Sequence, residues 1–307
     1  MSAQLRLGLI GCGRLAELGY VPAIAATERV ALTAVADPDP DRRELIALLA
    51  AAAGPVPSAH PSAGDLIGGA EIDALVIASP PSEHVWQAEL ASRAGIPTLV
   101  EKPPAPTVAG ARRLAALDPA PWVGFNRRFQ HVGPLLSQLP LFGRLELELE
   151  LRYRRDSWQP LTVADDVLAD LAPHLIDIAL VLGGAEGARV VRATASFARA
   201  ELELELARGR ARISCANDRA YRELVEVRRA GGATVARSAA GGAVRLIADR
   251  LPGRAHPLVA SLRAQLEALA AAAAEADAGL LATAADGALA MALTDDARDL
   301  AEERRAA

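Results

Sequence analysis

Four short apolar runs mark the first part of the chain, at Leu5–Ile10, Ala31–Ala36, Ala74–Ala78 and Thr98–Val100. Short, mainly apolar runs of this length are consistent with buried parallel strands. Stretches of helical pattern lie between them, at Arg14–Ala26, Asp41–Ala53 and Ser82–Ala94. Such strand–helix–strand repetition predicts a parallel sheet covered by helices on both faces. Trp122–Gly124 reads as a last strand leading out of that unit.

Beyond about Phe125 the period changes. Leu145–Leu151 and Glu201–Leu206 alternate Leu with Glu without a break, as strands with one wet face do. Arg208, Arg210 and Arg212 form a row of one parity, suited to pair across a sheet with such glutamates. Helical pattern follows from about Asp166 to Leu182, from Pro257 to Ala276 and from Ala284 to Arg305. The expected fold is an α/β doubly wound parallel sheet over residues 1–123. An α+β part over 124–307 follows, with an open, mainly antiparallel sheet backed by helices, and its last helix is free to pack back on the first part. The Glu/Arg face of that second sheet has two readings. It is a solvated surface, or the interface of a homodimer or homotetramer built through the C-terminal sheet.

Composition removes several function classes. A net charge of −5 and only 3% aromatic residues speak against a nucleic-acid surface. Cys12 and Cys215 are far apart and lack a CxxC partner, so neither a disulfide framework nor a metal site is expected, and a reducing cytoplasm fits. The run Leu7–Ile10 is too short for a secretory signal, and the Ala-rich stretch Leu266–Ala274 contains Glu267 and reads as a helix rather than a membrane span. The expected partner is a small-molecule substrate, with no nucleic acid and no membrane.

Gly11-Cys12-Gly13-Arg14-Leu15-Ala16 follows the first strand directly and opens the first helix. Glycines permit a tight turn and close approach of backbone to a pyrophosphate, small Ala16 lets helix and strand pack closely, and the helix N-terminus favours phosphate. Asp37 ends the second strand 21 residues after Ala16 (37 − 16), where a carboxylate can accept hydrogen bonds from a ribose 2′-OH. The plainer reading is a glycine turn and an Asp-Pro turn. The context favours a Rossmann-type dinucleotide site, NAD by the acidic residue, with NADP left open by Arg42 and Arg43 nearby.

Among 33 Lys and Arg residues, Lys102 is the single lysine, and it stands in Glu101-Lys102-Pro103 just past the strand ending at Val100. That is the carboxyl edge of the sheet, where ligands of doubly wound folds bind. Oxidation of a secondary alcohol needs a cation for the developing alkoxide and a base for the hydroxyl proton. Lys102 suits the first role. His174, with an unperturbed pKa near neutrality, suits the second, and Asp170 lies one helical turn before it. Pro173 starts or kinks the helix there. The plainer reading is a capping Asp and a satisfied core His.

Five segments in order, Gly11–Ala16, Ser79-Pro80 with His84, Glu101-Lys102-Pro103, Gly124–Phe129 and Asp170-Leu-Ala-Pro-His174, carry a resemblance over nearly the whole chain. It resembles the Gfo/Idh/MocA family of NAD(P)-dependent oxidoreductases, named for glucose–fructose oxidoreductase and inositol dehydrogenase. The resemblance implies hydride transfer between nicotinamide and a CH–OH carbon of a sugar, cyclitol or related molecule. It implies Lys102, Asp170 and His174 as the polar cluster around the reacting carbon. It places Gly11, Cys12, Gly13, Arg14, Leu15, Asp37, Ser79, Pro80, His84, Glu101 and Lys102 beside the cofactor, though a plain strand-to-helix turn also explains the Ser79–His84 segment. Asn126, Arg127 and Arg128 are implied substrate contacts, with surface salt bridges the alternative for the arginines. Where relatives carry glycines before the motif aspartate, this chain reads Ala164-Asp165-Asp166, which either begins a helix or favours a cationic substrate. Tyr153, Arg155 and Trp158 lead toward that region, to line a pocket or to pack. Two other functions fit the same fold: a dinucleotide-binding regulator without catalysis, and an NAD-dependent glycosidase or imine reductase.

Overall fold

A computed structural model describes residues 4–140, 142–154, 166–241, 256–274 and 277–306. The chain forms two compact units, Met1–Asn126 with His256–Ala288, and Arg127–Ala255 with Leu289–Ala307.

The first unit is built on a seven-stranded sheet in the order β13-β6-β5-β4-β1-β2-β3, comprising β1 (Leu5–Ile10), β2 (Val30–Ala36), β3 (Ser58–His60), β4 (Ala74–Ile77), β5 (Thr98–Val100), β6 (Trp122–Val123) and β13 (Ala282–Thr283). All neighbours pair in parallel except β13, which runs antiparallel to β6. The four expected apolar runs are β1, β2, β4 and β5. Every residue of β4 and β5 is buried, while β1 carries the exposed Arg6 at its start and β2 keeps Ala31 and Thr33 partly buried.

One expected helix differs in form. Arg14–Ala26 is a π-helical turn, Ala16–Tyr20, followed by an α-helix, Val21–Ala25, and the Val21 N–H bonds five residues back to the Ala16 carbonyl. Pro22 has no N–H, and its ring crowds the carbonyl four residues earlier, so the ladder loosens by one residue there. The same cause acts at Arg128–Val132, a second π turn whose Gly133 N–H reaches the Arg128 carbonyl ahead of Pro134. Helix Pro257–Ala273, grouped in sequence with the second sheet, packs on Ala16–Ala25 of the first unit through buried Leu262, Leu266 and Leu269. The last helix, Ala284–Ala306, begins with a capping box. The Asp286 carboxylate accepts the Thr283 N–H at 2.9 Å, and the Thr283 hydroxyl accepts the Asp286 N–H at 3.1 Å.

The second unit holds a six-stranded sheet in the order β12-β11-β7-β10-β9-β8, comprising β7 (Leu145–Arg154), β8 (Arg189–Ala195), β9 (Arg199–Leu206), β10 (Gly209–Ala216), β11 (Asp218–Arg229) and β12 (Thr234–Gly241). It is antiparallel but for the β7–β10 pair. Leu145, Leu147, Leu149 and Leu151 are buried, on the side where helix Ala172–Gly183 packs. Arg210 meets Glu146 at 2.6 Å and Arg222 meets Glu150 at 3.1 Å, while Arg212 and Glu203 approach to 3.7 Å. Arg208 leaves this row: it lies in the turn before β10, and its guanidinium donates to the Pro140 carbonyl at 2.5 Å.

Candidate active site

In the first unit the strand order changes direction between β1 and β4, and open parallel sheets bind ligands in the crevice at that point. Gly11 ends β1 with φ +96°, and a Cβ there would lie 2.6 Å from the Ala78 carbonyl and the Ser79 nitrogen. Only glycine lets the loops after β1 and β4 meet so closely. Gly13 has nothing within 4 Å of where a Cβ would sit. Its backbone is open, at the start of the helix carrying Arg14, Leu15 and Ala16, as a pyrophosphate requires. The Arg14 guanidinium pairs with Glu17 at 3.1 Å.

Asp37 ties β2 to this turn. One oxygen accepts the Cys12 N–H at 2.8 Å and the other accepts the Asp39 N–H at 2.9 Å. The Cys12 thiol is buried, and burial first, with the Asp37 charge second, pushes its pKa up to about 12. Cys12 is therefore a thiol and not a nucleophile at neutral pH. Arg42 donates from Nε to the Cys12 carbonyl at 2.8 Å and pairs with Glu17 at 3.1 Å, and Arg43 donates to the Asp37 carbonyl at 2.5 Å. Both cations are thus engaged by the protein's own acceptors. An open glycine backbone, a helix start and a carboxylate at the end of β2 together fit NAD.

The loops after β4 and β5 are braced together. Ser79 Oγ donates to Gln87 at 2.6 Å, and Pro80 occupies the capping position of helix Pro81–Arg93 with no side-chain cap. The His84 ring is buried between two carbonyls, Ser79 at 2.8 Å from Nε2 and Pro103 at 3.0 Å from Nδ1. Burial lowers its pKa, and the facing carbonyls only partly offset this. Glu101 is buried at the end of β5. Its Oε1 accepts the Tyr20 hydroxyl at 2.5 Å, and its Oε2 accepts the Lys102 N–H at 3.1 Å. Gly124 leaves room for that carboxylate, since a Cβ there would lie 2.8 Å from Glu101 Cδ. Asn126 is buried too, donating to Ser261 at 2.9 Å.

In the second unit, Asp166 caps helix Val167–Asp170 by accepting the Ala169 N–H at 2.9 Å and pairs with Arg298 at 2.5 Å. Burial raises its pKa, and Arg298 with the Ala169 amide outweighs that, holding it low. Asp170 closes the short helix and accepts the Tyr153 hydroxyl. His174 is buried in the following helix, Ala172–Gly183. The helical stretch expected from Asp166 is broken at Leu171, because Pro173 cannot continue it.

Arg128 is buried and bound through two nitrogens to Asp177, at 2.7 and 2.5 Å. Arg127 donates to Glu223 at 3.2 Å, and Gln130, His131 and Tyr221 complete the ring around that carboxylate at 3.0, 2.6 and 3.1 Å. Burial would raise the Glu223 pKa, but Arg127 and His131 carry it down to about 2. Trp158, Arg155 and Asp165 lie outside the described residues. Tyr20, Glu223 and Arg298 escaped the sequence reading. The one legible sign was Pro22 or Pro134 within an otherwise helical pattern, marking the turns that present Tyr20, Arg128 and His131.

A glycine turn at the switch point of a doubly wound sheet, with an acidic residue closing β2, defines a dinucleotide-binding domain. Residues 5–119 match the GFO_IDH_MocA family model, described as an oxidoreductase family with an NAD-binding Rossmann fold. It is similar to the rhizopine catabolism protein MocA of Rhizobium meliloti, 38% identical over 141 residues, which are 44% of this chain and 41% of that one. It is also similar to inositol 2-dehydrogenase 2 of Saccharopolyspora erythraea, 32% identical over 198 residues, covering 62% and 56%. The chain thus spans about half the length of these curated relatives. The fold is shared with scyllo-inositol dehydrogenase of Lactobacillus casei, solved with NAD(H) and scyllo-inositol bound. There the TM-score is 0.77 with 17% identity and 98% coverage of each chain.

Proposed function

We propose that this protein is an NAD-dependent dehydrogenase acting on a ring CH–OH group of a cyclitol or sugar, in either direction. The observation that carries the reading is the sole lysine standing immediately past β5, at the carboxyl edge of a sheet of the NAD-binding family. Bound NAD supplies the hydride acceptor. Lys102 donates to the substrate oxygen and stabilises the charge that grows there as the proton leaves. His174 takes that proton, and Asp170, held by the Tyr153 hydroxyl, orients the imidazole. Asp37 accepts from the ribose hydroxyls, and with Arg42 and Arg43 already engaged this favours NAD over NADP. Arg298 matches the charge of Asp166, which favours a neutral polyol over a cationic substrate. The inositol dehydrogenases among the relatives support a cyclitol.

The Glu/Arg face of the second sheet is suited to self-association, because each row offers both charges to a symmetric copy. The two free buried thiols fit a reducing cytoplasm. The test is a panel of cyclitols, sugars and sugar acids assayed with NAD and with NADP for accumulated reduced cofactor. The reading expects net NADH from at least one polyol, with NAD preferred. Cofactor binding without net NADH from any member would favour a regulator or a glycosidase with transient redox chemistry.

A further inference from the structure

We propose that Tyr20 is a positioning residue for Lys102, acting through the carboxylate of Glu101. The proposal rests on the reading that Lys102 serves the reacting centre, and it names a residue outside the motifs that suggested that reading. The phenol is fully buried, and its hydroxyl donates to Glu101 Oε1 at 2.5 Å. The other oxygen of the same carboxylate accepts the backbone N–H of Lys102 at 3.1 Å. A carboxylate has two rigidly linked oxygens, so fixing one by a short hydrogen bond fixes the direction offered to the other. The peptide thus oriented is the one that launches the lysine side chain from the end of β5.

Three features set this contact apart from ordinary core filling. Tyr20 ends the π-helical turn Ala16–Tyr20, and π turns of this kind recur at functional sites. The Glu101 carboxylate occupies the space that a Cβ on Gly124 would fill, at 2.8–2.9 Å, so only glycine there leaves it this position. From helix Pro257–Ala273 the buried amide of Gln265 faces the phenol, close enough to influence its titration but without a well-formed hydrogen bond among the described residues. Burial foremost, with the Glu101 charge behind it, holds the Tyr20 pKa well above that of a free phenol, so the hydroxyl stays a donor across the working pH range.

The sole lysine makes the test clean, since lysine labelled with ¹⁵N gives one backbone amide signal and one ammonium signal from the whole chain. Tyr20→Phe, Glu101→Gln and the double variant are compared with the wild type, each loaded with NAD. We expect Y20F to move the Lys102 amide resonance and to lower kcat about tenfold or more, as loss of a hydrogen bond to a charged group does, with NAD affinity within about twofold. Added to E101Q, the Tyr20 change should alter kcat and the amide signal by less than about twofold, because the intermediary is already impaired. An unmoved amide with wild-type kcat in Y20F overturns the proposal. So does a Y20F effect of full size on the E101Q background. Should Y20F fail to fold, Tyr153→Phe/Tyr221→Phe leaves Tyr20 as the sole tyrosine for labelling with 3-fluorotyrosine, whose more acidic hydroxyl must shift the Lys102 amide; no shift rejects the coupling. If the wild type oxidises no alcohol, the dehydrogenase reading fails by itself, while the lysine signals still decide whether Tyr20 acts on Lys102.

Discussion

Replacing Glu223 by Gln removes one charge from a buried cluster while keeping its shape. Glu223 is 3% exposed and accepts from Arg127, Gln130, His131 and Tyr221. Burial alone would raise its pKa, yet the surrounding donors bring it from an ordinary 4.5 to about 2. That difference corresponds to about 3 kcal/mol of folding stability at neutral pH. Because the folded-state value is the lower one, the stabilisation is complete above the ordinary 4.5 and is lost as pH falls toward 2. At pH 3 about 1.4 kcal/mol of it remains. The variant also leaves the half-buried Arg127 facing a neutral amide, a cost that acid does not remove. Urea unfolding of wild type and E223Q at pH 7 and pH 3 measures both parts. The expected loss is at least about 3 kcal/mol at pH 7, shrinking by about 2 kcal/mol at pH 3. A variant within about 0.5 kcal/mol of wild type at pH 7 would refute the reasoning, as would a deficit that acid leaves unchanged.

Three other outcomes follow from the first unit. Gly11→Ala forces a Cβ against the Ala78–Ser79 backbone at φ +96° and should destabilise the protein by about 2 kcal/mol or more, read as a lower Tm with NAD binding lost. Asp37→Ser frees the Cys12 amide and removes the charge facing the ribose, so NAD affinity should fall about tenfold or more and the preference over NADP should collapse in fluorescence titrations with both cofactors. His84 has a lowered pKa when folded, so its contribution is full above its ordinary 6.5 and is lost as pH falls through the folded value. Melting curves should therefore fall more steeply with acidification for wild type than for His84→Gln, and parallel curves would exclude that role.

Much of the first unit was legible because its signals are local. Short, mainly apolar runs marked β1, β2, β4 and β5 within a residue or so, and the glycine turn followed directly on β1. The missed elements are short or polar: β3 reads Ser-Ala-His, helix Ala63–Gly69 contains three glycines, and β8 carries two arginines. Their partners, not their own sequence, make them regular. Glu223 shows the same limit within the candidate site. In sequence it is one more Glu in an alternating strand, and its burial is set by residues 92 to 96 positions away on the chain. Arg127 and Arg128 looked alike as motif arginines, yet each has its own buried carboxylate, Glu223 and Asp177, brought near only by folding. Tyr20 was hidden by reading Arg14–Ala26 as one regular helix, although Pro22 already argued for an interruption.

The most direct measurement of the central claim compares wild type with Lys102→Met, pairing NAD affinity by calorimetry with NADH formed in a single turnover on whichever polyol the wild type oxidises best. The account predicts bound cofactor in both proteins, with turnover reduced about a hundredfold or more in the variant, as expected when a charge aimed at a developing oxyanion is removed. Turnover by K102M at the wild-type rate would contradict it, because the only ammonium side chain in the chain would then have no part in the chemistry.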